Sequence, residues 1–248
     1  MQAIIMAAGK GSRLGELTAG KPKSYALIKG HRMIDYNITL LRSYGVSEII
    51  IVTGFNYQAF EEDYNNEPDI KLVYNPFFEQ TNVQGSFWVG MPYLKEEFIF
   101  IHADSLCDPG LFDELVKSAG DVVLPVDFDV YNEESMGVRL ENGKAVEIHK
   151  DIPLGKACGE FIGFAKISRN VLSEIKDATE SVLKEQKFFE YFEASLQVLM
   201  DKGIYDIEVL PTAGRFWAEI DFMEDFEKAA SEIPDSLVQL VEKTRCCT

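Results

Sequence analysis

Residues 3–23 read AIIMAAGKGSRLGELTAGKPK. A short apolar run breaks into Ala7, Ala8, Gly9 and Gly11 and then into a loop bearing lysine and arginine, the order of a buried strand followed by an anion cradle. Glycines leave backbone N–H groups uncovered and permit positive φ, so the chain can wrap closely around anionic oxygens. Lys10, Arg13, Lys21, Lys23, Lys29 and Arg32 occupy the first 32 residues against one acid, Glu16, in a chain of formal net charge −17. Positive charge is concentrated beside the glycines, as a polyanionic ligand requires.

Spacing sets two familiar glycine loops aside. A P-loop needs four residues between its first glycine and Gly-Lys-Ser/Thr, whereas Lys10 is followed by Gly11. The dinucleotide fingerprint needs glycine where Leu14 stands, and no acidic residue closes the run Ile49 to Thr53. What remains is G-x-G-S-R-L, then Leu17-Thr18, then Pro22-Lys23. In order and spacing this resembles the signature of the nucleotidyltransferases that activate sugar phosphates and phosphoryl alcohols. The resemblance implies that Ala7, Ala8, Gly9, Gly11 and Ser12 hold a nucleotide, with Arg13 and Lys23 on the departing phosphates.

With 248 residues, 46% of them hydrophobic and 26% charged, the chain can bury a sizeable core. No apolar run approaches a membrane span and no signal-peptide pattern precedes the first strand, so a cytosolic protein with no membrane partner is expected. Net acidity without a basic stripe argues against nucleic acid as a partner. Cys107, Cys158, Cys246 and Cys247 lack metal-site spacing and read as thiols. Oligomeric state stays open, a homodimer included.

Along the chain, Gln2–Met6 reads as a strand, Met33–Tyr44 as a helix closed by Gly45, and Glu48–Thr53 as a second strand, parallel to the first by the right-handed crossover rule. A helix capped by Asn56 and a strand at 70–74 follow. Phe98–Ile101 is a further strand, 109–118 a helix and 121–125 a strand. Beyond it Gly137–Leu140 and Ala145–Ile148 flank Asn142-Gly143 as a hairpin, and Phe161–Ile167 adds a strand. Helices are expected over 170–176 and within 181–202, the latter placing Phe188, Phe189, Tyr191 and Phe192 in the core, followed by a strand at 205–210 and a helix over 222–230. Together with the resemblance, this predicts an α/β, Rossmann-like three-layer nucleotidyltransferase fold with a mixed, mainly parallel sheet and an inserted β-hairpin acceptor region. The whole of 1–248 reads as one domain: 1–125 the nucleotide half, 126–221 the acceptor half, 222–248 a C-terminal helical segment.

Asp104 follows the strand 98–101, where α/β folds place ligands, and Mg²⁺ is commonly held by one or two carboxylates with substrate phosphates. It is the first metal candidate; its plain alternative is capping the turn. His102 reads as structural. Thr81-Asn82-Val83-Gln84-Gly85-Ser86 can simply cap a helix, and also looks like the T-N-x-x-x-S segment of phosphocholine-type cytidylyltransferases, which implies base and ribose contacts from Asn82 and Ser86. Cytosine and uracil differ at ring position four, which backbone near Ala8 or Gln84 could read. Lys150 resembles the family's second signature lysine, on the acceptor phosphate, although the usual following proline is displaced to Pro153. Gly159-Glu160-Phe161-Ile162-Gly163 looks like a segment of the same group. Trp217-Ala218-Glu219-Ile220-Asp221 resembles its late aspartate motif, which makes Asp221 the second Mg²⁺ ligand, a helix N-cap being the plain alternative.

These residues suggest transfer of a nucleotidyl group; the resemblance implies attack by an acceptor phosphate or phosphonate oxygen on the α-phosphorus of CTP, the acceptor being of phosphocholine or 2-aminoethylphosphonate type. Glu160, Asp127, Asp129, Tyr131, Phe188, Tyr191 and Trp217 are candidates for a pocket around its cation. A sugar-1-phosphate nucleotidyltransferase using UTP, dTTP or CTP, and a non-catalytic nucleotide-binding relative, are the competing readings.

Overall fold

The computed structural model describes residues 1–18, 20–129, 131–153 and 155–245. Its first half alternates strands and helices: β1 (Gln2–Ala7), the short α1 (Gly15–Thr18), a small hairpin of β2 (Leu27–Ile28) and β3 (His31–Arg32), α2 (Met33–Ser43), β4 (Glu48–Thr53), α3 (Tyr57–Tyr64), β5 (Ile70–Tyr74), α4 (Val83–Gly90) and β6 (Phe98–His102). Then come β7 (Ser105–Cys107), α5 (Pro109–Lys117), β8 (Val122–Asp127), β9 (Gly137–Glu141), β10 (Lys144–His149), β11 (Gly159–Phe161) and β12 (Phe164–Ile167). The chain continues through α6 (Leu172–Lys184), α7 (Glu193–Lys202), β13 (Ile207–Pro211), β14 (Trp217–Glu219), α8 (Met223–Glu232) and α9 (Asp235–Arg245).

The central sheet runs β10-β9-β11-β8-β12-β6-β1-β4-β5, with β13 parallel to β8 on its free side. β5, β4, β1 and β6 are mutually parallel. β12 runs against both β6 and β8. Strict alternation along β1 feeds two apolar layers. Ile4 and Met6 join Phe87 of α4, Ile175 of α6 and Leu196 of α7, whereas Ala3, Ile5 and Ala7 join Met33 of α2, Phe60 of α3, Phe112 of α5 and Leu237 of α9. This is the α/β/α sandwich expected from the sequence.

Three departures matter for the site. The strand expected over 161–167 is broken at Gly163, φ +81°, so β12 pairs with β6 while β11 turns away to pair with β9. The sheet forks there and leaves a gap above β6. A Cβ at Gly163 would stand 2.6 Å from Ser105 Oγ, which is why no larger residue fits the fork. Second, the helix expected within 181–202 is interrupted between α6 and α7. Carbonyls of the intervening segment instead accept from the first turn of α4: Phe188 from Asn82 N–H (2.9 Å), Phe189 from the Asn82 side chain (3.2 Å) and Glu190 from Gln84 N–H (3.2 Å). These bonds satisfy donors that a helix start leaves open. Only Phe192 of the aromatic group is core, stacked on Phe100 with ring centroids 4.0 Å apart; Phe189 is exposed and Phe188 partly so. Third, β7 and β14 form an unforeseen antiparallel pair. Cys107 is buried and Cys158 exposed, both free thiols; Cys246 and Cys247 lie outside the described residues.

Among the described residues no helix is long and apolar enough to cross a membrane. Gly90, where α4 meets the sheet, has no room for a side chain: a Cβ would lie 2.6 Å from Val52 Cγ2 and 2.7 Å from Ile4 Cδ1. Gly90→Val is expected to lower stability by about 1–3 kcal/mol through overpacking, read as a lower denaturant midpoint with an unchanged slope.

Candidate active site

A cleft of about 540 Å³ opens at the C-terminal ends of β1 and β6, in the gap left by the fork. The turn after β1 forms one wall with Ala8, Gly9, Gly11 and Arg13. Gly11 has φ +61°, and a Cβ on it would come within 2.4 Å of Lys23 Cβ. Glycine here serves twice: it adopts the left-handed turn and lets the Lys23 stem pass against the backbone. Gly9 faces open space where a Cβ would project.

Lys23 begins a short 3-10 helix after Pro22, and its ammonium reaches Asp104 Oδ2 and Asp221 Oδ1 at 2.5 Å each. Backbone pairing brings the two aspartates together across more than a hundred residues. β14 lies against β7 with Glu219 opposite Ser105, and Ile220 N–H donates to the Asp104 carbonyl (3.1 Å), so the chain delivers Asp221 beside Asp104. The helix-cap role open to Asp221 falls instead to Asp225, whose carboxylate accepts from Asp221 N–H (3.0 Å) and Phe222 N–H (2.8 Å). That leaves the Asp221 carboxylate for the cleft. Burial opposes the charge on Asp104, but Lys23 and His102 outweigh it and hold the carboxyl below its usual range. Burial likewise opposes the Lys23 charge; the same two aspartates overcome it and raise the ammonium's pKa.

The floor and far wall hold groups that the sequence reading did not assign. His102, Glu193 and Glu219 all line the cleft, with His102 3.9 Å from Glu193 Oε1 and 3.8 Å from Glu219 Oε1. Burial would depress the imidazole, yet these carboxylates and Asp104 raise it to about 9. His102, read from the sequence as structural, thus lies in the cleft between two carboxylates. Its signal was the strand period: His102 and Glu219 each stand two residues before an assigned aspartate, on the same face. Glu193 is 2% exposed and neither carboxylate oxygen has a hydrogen-bond partner. Burial raises its pKa. No sequence pattern marked it, because it follows the interrupted helix. His102, Asp104 and Glu219 also present ligand atoms within 4.8 Å of one another.

Of the other candidates, Asn82, Ser86, Lys150 and Tyr191 line the cleft. Asn82 is also the cap of α4, its Oδ1 accepting from Val83 N–H (2.9 Å), and Ser86 Oγ accepts from Asn75 (3.1 Å). The Lys150 ammonium lies 4.9 Å from the Tyr191 ring centroid, and the Arg13 guanidinium 4.7 Å from that of Phe222. Ser12 lies in the 3-10 turn after the glycines.

Several expectations need correction. Gln84 is fully buried: its backbone N–H donates to the Glu190 carbonyl (3.2 Å) and its side chain to Ser195 Oγ (2.6 Å), so it braces α4 against α7 and the segment before it and does not line the cleft. Ala7 is held inside the sheet opposite Thr53 and does not line the cavity. Tyr131 spends its hydroxyl on the Ile152 carbonyl (2.5 Å) and also stays outside. Phe188 belongs to an apolar cavity behind α4. Arg32 is not available to phosphate, being paired with Asp35 (2.8 Å) and with Asp63. Asp127, Glu160 and Trp217 line a side cavity of about 400 Å³ that shares Glu134, Glu219, Asp221 and Phe222 with the main cleft. There the Trp217 indole N–H donates to Asp127, and Asp129 N–H to its other oxygen (2.9 Å).

A glycine turn after the first strand, facing acids that follow β6 and β14 across a cleft that also holds Arg13, Lys23 and Lys150 on this α/β/α sandwich, defines a nucleotidyltransferase. Residues 3–189 match the MobA-like NTP transferase domain, and the chain belongs to that family. The CTP:phosphoglutamine cytidylyltransferase of Campylobacter jejuni is 30% identical over 251 residues, covering 92% of this chain and 98% of that protein. The choline-phosphate cytidylyltransferase of Haemophilus influenzae is 29% identical over 148 residues, 60% of this chain and 62% of that one. The inositol-1-phosphate CTP transferase from T. maritima shares the fold with a TM-score of 0.75 at 23% identity, over 98% of this chain and 95% of that chain.

Burial raises the Glu160 pKa from 4.5 to about 7, helped by Glu219 and Asp127 and opposed by a hydrogen bond from Ser135. A folded-state pKa above the unfolded one means the native protein binds the proton more tightly, so stability declines as pH rises from about 4.5 to about 7. Glu160→Gln is expected to be more stable than the parent by roughly 1–3 kcal/mol at pH 8, with most of the difference gone at pH 4.5, measured by thermal melts across pH.

Proposed function

We propose that this nucleotidyltransferase moves CMP from CTP to the phosphate or phosphonate of a small, amine-bearing acceptor of phosphocholine or 2-aminoethylphosphonate type. An acceptor oxygen forms a bond to the α-phosphorus, the bond to the β-phosphate bridge breaks, and pyrophosphate leaves with the electron pair. A phosphate monoester has a second pKa near ~6, so the nucleophile is already ionised at neutral pH and no general base is needed. The work left to the protein is alignment and charge stabilisation.

The observation that carries this reading is the meeting of Lys23, Asp104 and Asp221 at the mouth of the glycine turn. Arg13 and Lys23 are assigned to the departing phosphates, Lys150 to the acceptor phosphate, and the turn's N–H groups to the polyphosphate. Asp104 and Asp221 both reach one ammonium nitrogen at 2.5 Å, so they are close enough to share one cation, and an all-oxygen pair suits Mg²⁺. When bound, Mg²⁺ would neutralise phosphate charge and fix the α-phosphate for attack. CTP is favoured by the names of the C. jejuni and H. influenzae relatives. The amine is supported by Glu193, whose buried carboxylate lines the cleft with no hydrogen-bond partner and with the His102 imidazole 3.9 Å away, a setting that favours an ammonium group.

Asp104→Asn and Asp221→Asn are each expected to lower kcat on the order of 10³-fold with an unchanged circular dichroism spectrum and Mg²⁺-free melting temperature within a few degrees. Full activity in either variant would remove the metal assignment. Four NTPs crossed with phosphocholine, 2-aminoethylphosphonate, phosphoethanolamine and sugar 1-phosphates, with pyrophosphate release as the readout, test the reaction itself. CTP with an amine-bearing acceptor should win, and Glu193→Gln should raise that acceptor's KM about tenfold or more while leaving the KM for CTP alone. Preference for UTP or dTTP with a neutral sugar 1-phosphate would overturn the reading, as would CTP binding without pyrophosphate release.

A further inference from the structure

The Lys23 ammonium sits between the two carboxylates that the proposed reaction gives to a divalent ion, at 2.5 Å from each. Its side chain is only 12% exposed, and the base of its stem runs past Gly11, where a Cβ would stand 2.4 Å from Lys23 Cβ. Nothing else among the described residues donates a side-chain hydrogen bond to Asp104 or Asp221. Two cations cannot share one pair of carboxylates at this separation without strong mutual repulsion. The glycine turn that would hold the polyphosphate runs against the same lysine stem, so an anion bound there offers the ammonium a second set of partners within reach of its flexible chain.

We infer that Lys23 is a built-in stand-in for the metal: it holds Asp104 and Asp221 in place in the free enzyme, excludes a divalent ion from them, and gives them up when polyphosphate draws the ammonium away. Metal and nucleotide then enter as one event, and the free enzyme has weak affinity for the metal alone. This rests on the assignment of Asp104 and Asp221 as metal ligands, and the experiment separates the two ideas.

Mn²⁺ alone is titrated into the full chain without nucleotide, and the free ion is followed by electron paramagnetic resonance. Lys23→Met removes the charge and keeps most of the stem; Lys23→Gln is a polar second variant should the first fold poorly, with circular dichroism as the check. Either folded variant should bind Mn²⁺ on the order of tenfold or more tightly than the parent. Arg13→Gln, which removes a cleft cation that is not between the carboxylates, should change affinity less than about threefold, the size of a general field effect. Adding Asp104→Asn to Lys23→Met should abolish the gain. Folded Lys23 variants that bind Mn²⁺ no more tightly than the parent would overturn the inference while the double variant still reports on the metal assignment. Equal tightening by Arg13→Gln would also overturn it. Strong Mn²⁺ binding that survives Asp104→Asn would overturn the inference and the metal assignment together.

Discussion

The contact that orders this molecule is one ammonium held by two carboxylates, Lys23 between Asp104 and Asp221. Its members come from three remote places: the loop after β1, the turn after β6 and the end of β14. For them to meet, β1 must lie beside β6, and β14 must fold back on β7 to hand Asp221 to Asp104 through the Ile220–Asp104 backbone bond. Gly11 must also lack a side chain where the lysine passes. Much of the architecture near the cleft follows from these requirements.

The cleft manages a concentration of charge that the chain as a whole makes difficult. The chain carries a net charge of −17, and several of its acids line this cavity. Each cation in the cleft has a partner in the free protein: Lys23 the aspartates, Arg13 the face of Phe222, Lys150 the face of Tyr191. The aromatic partners keep cations near the site without neutralising them, because a ring face attracts a cation but does not compete for its N–H donors as a carboxylate does. Glu193 is the reverse case, a buried carboxylate with no hydrogen-bond donor, which burial pushes toward its neutral form against the pull of the His102 imidazole at 3.9 Å.

The fork at Gly163 is what opens the cleft in the sheet. On one side β12 closes antiparallel against β6, the last strand of the parallel half that carries the glycine turn. On the other, β11 departs with β9 and β10, opening the space into which His102, Lys150 and Tyr191 face. The strap between α6 and α7 ties that side back to the start of α4 through its carbonyls, so the segment bearing Asn82 and the segment bearing Tyr191 are held as a unit.

The sequence by itself determined the local and the periodic features. The apolar runs of β1, β4 and β6, the Asn142-Gly143 hairpin with φ of +53° and +79°, and the glycine turn with its ordered Arg13 and Lys23 are legible because strand burial, turn chirality and anion cradling are properties of neighbouring residues. Tertiary structure alone decided what depends on distant partners. It put Gln84 and Tyr131 on internal acceptors and gave the cap of α8 to Asp225 in place of Asp221. It also broke the strand at Gly163 and brought His102, Glu193 and Glu219 into one charged floor. The reason is physical: a backbone pattern is written within a few residues, whereas which side chain a carboxylate meets is set only when the sheet has assembled and burial has removed water as the alternative partner.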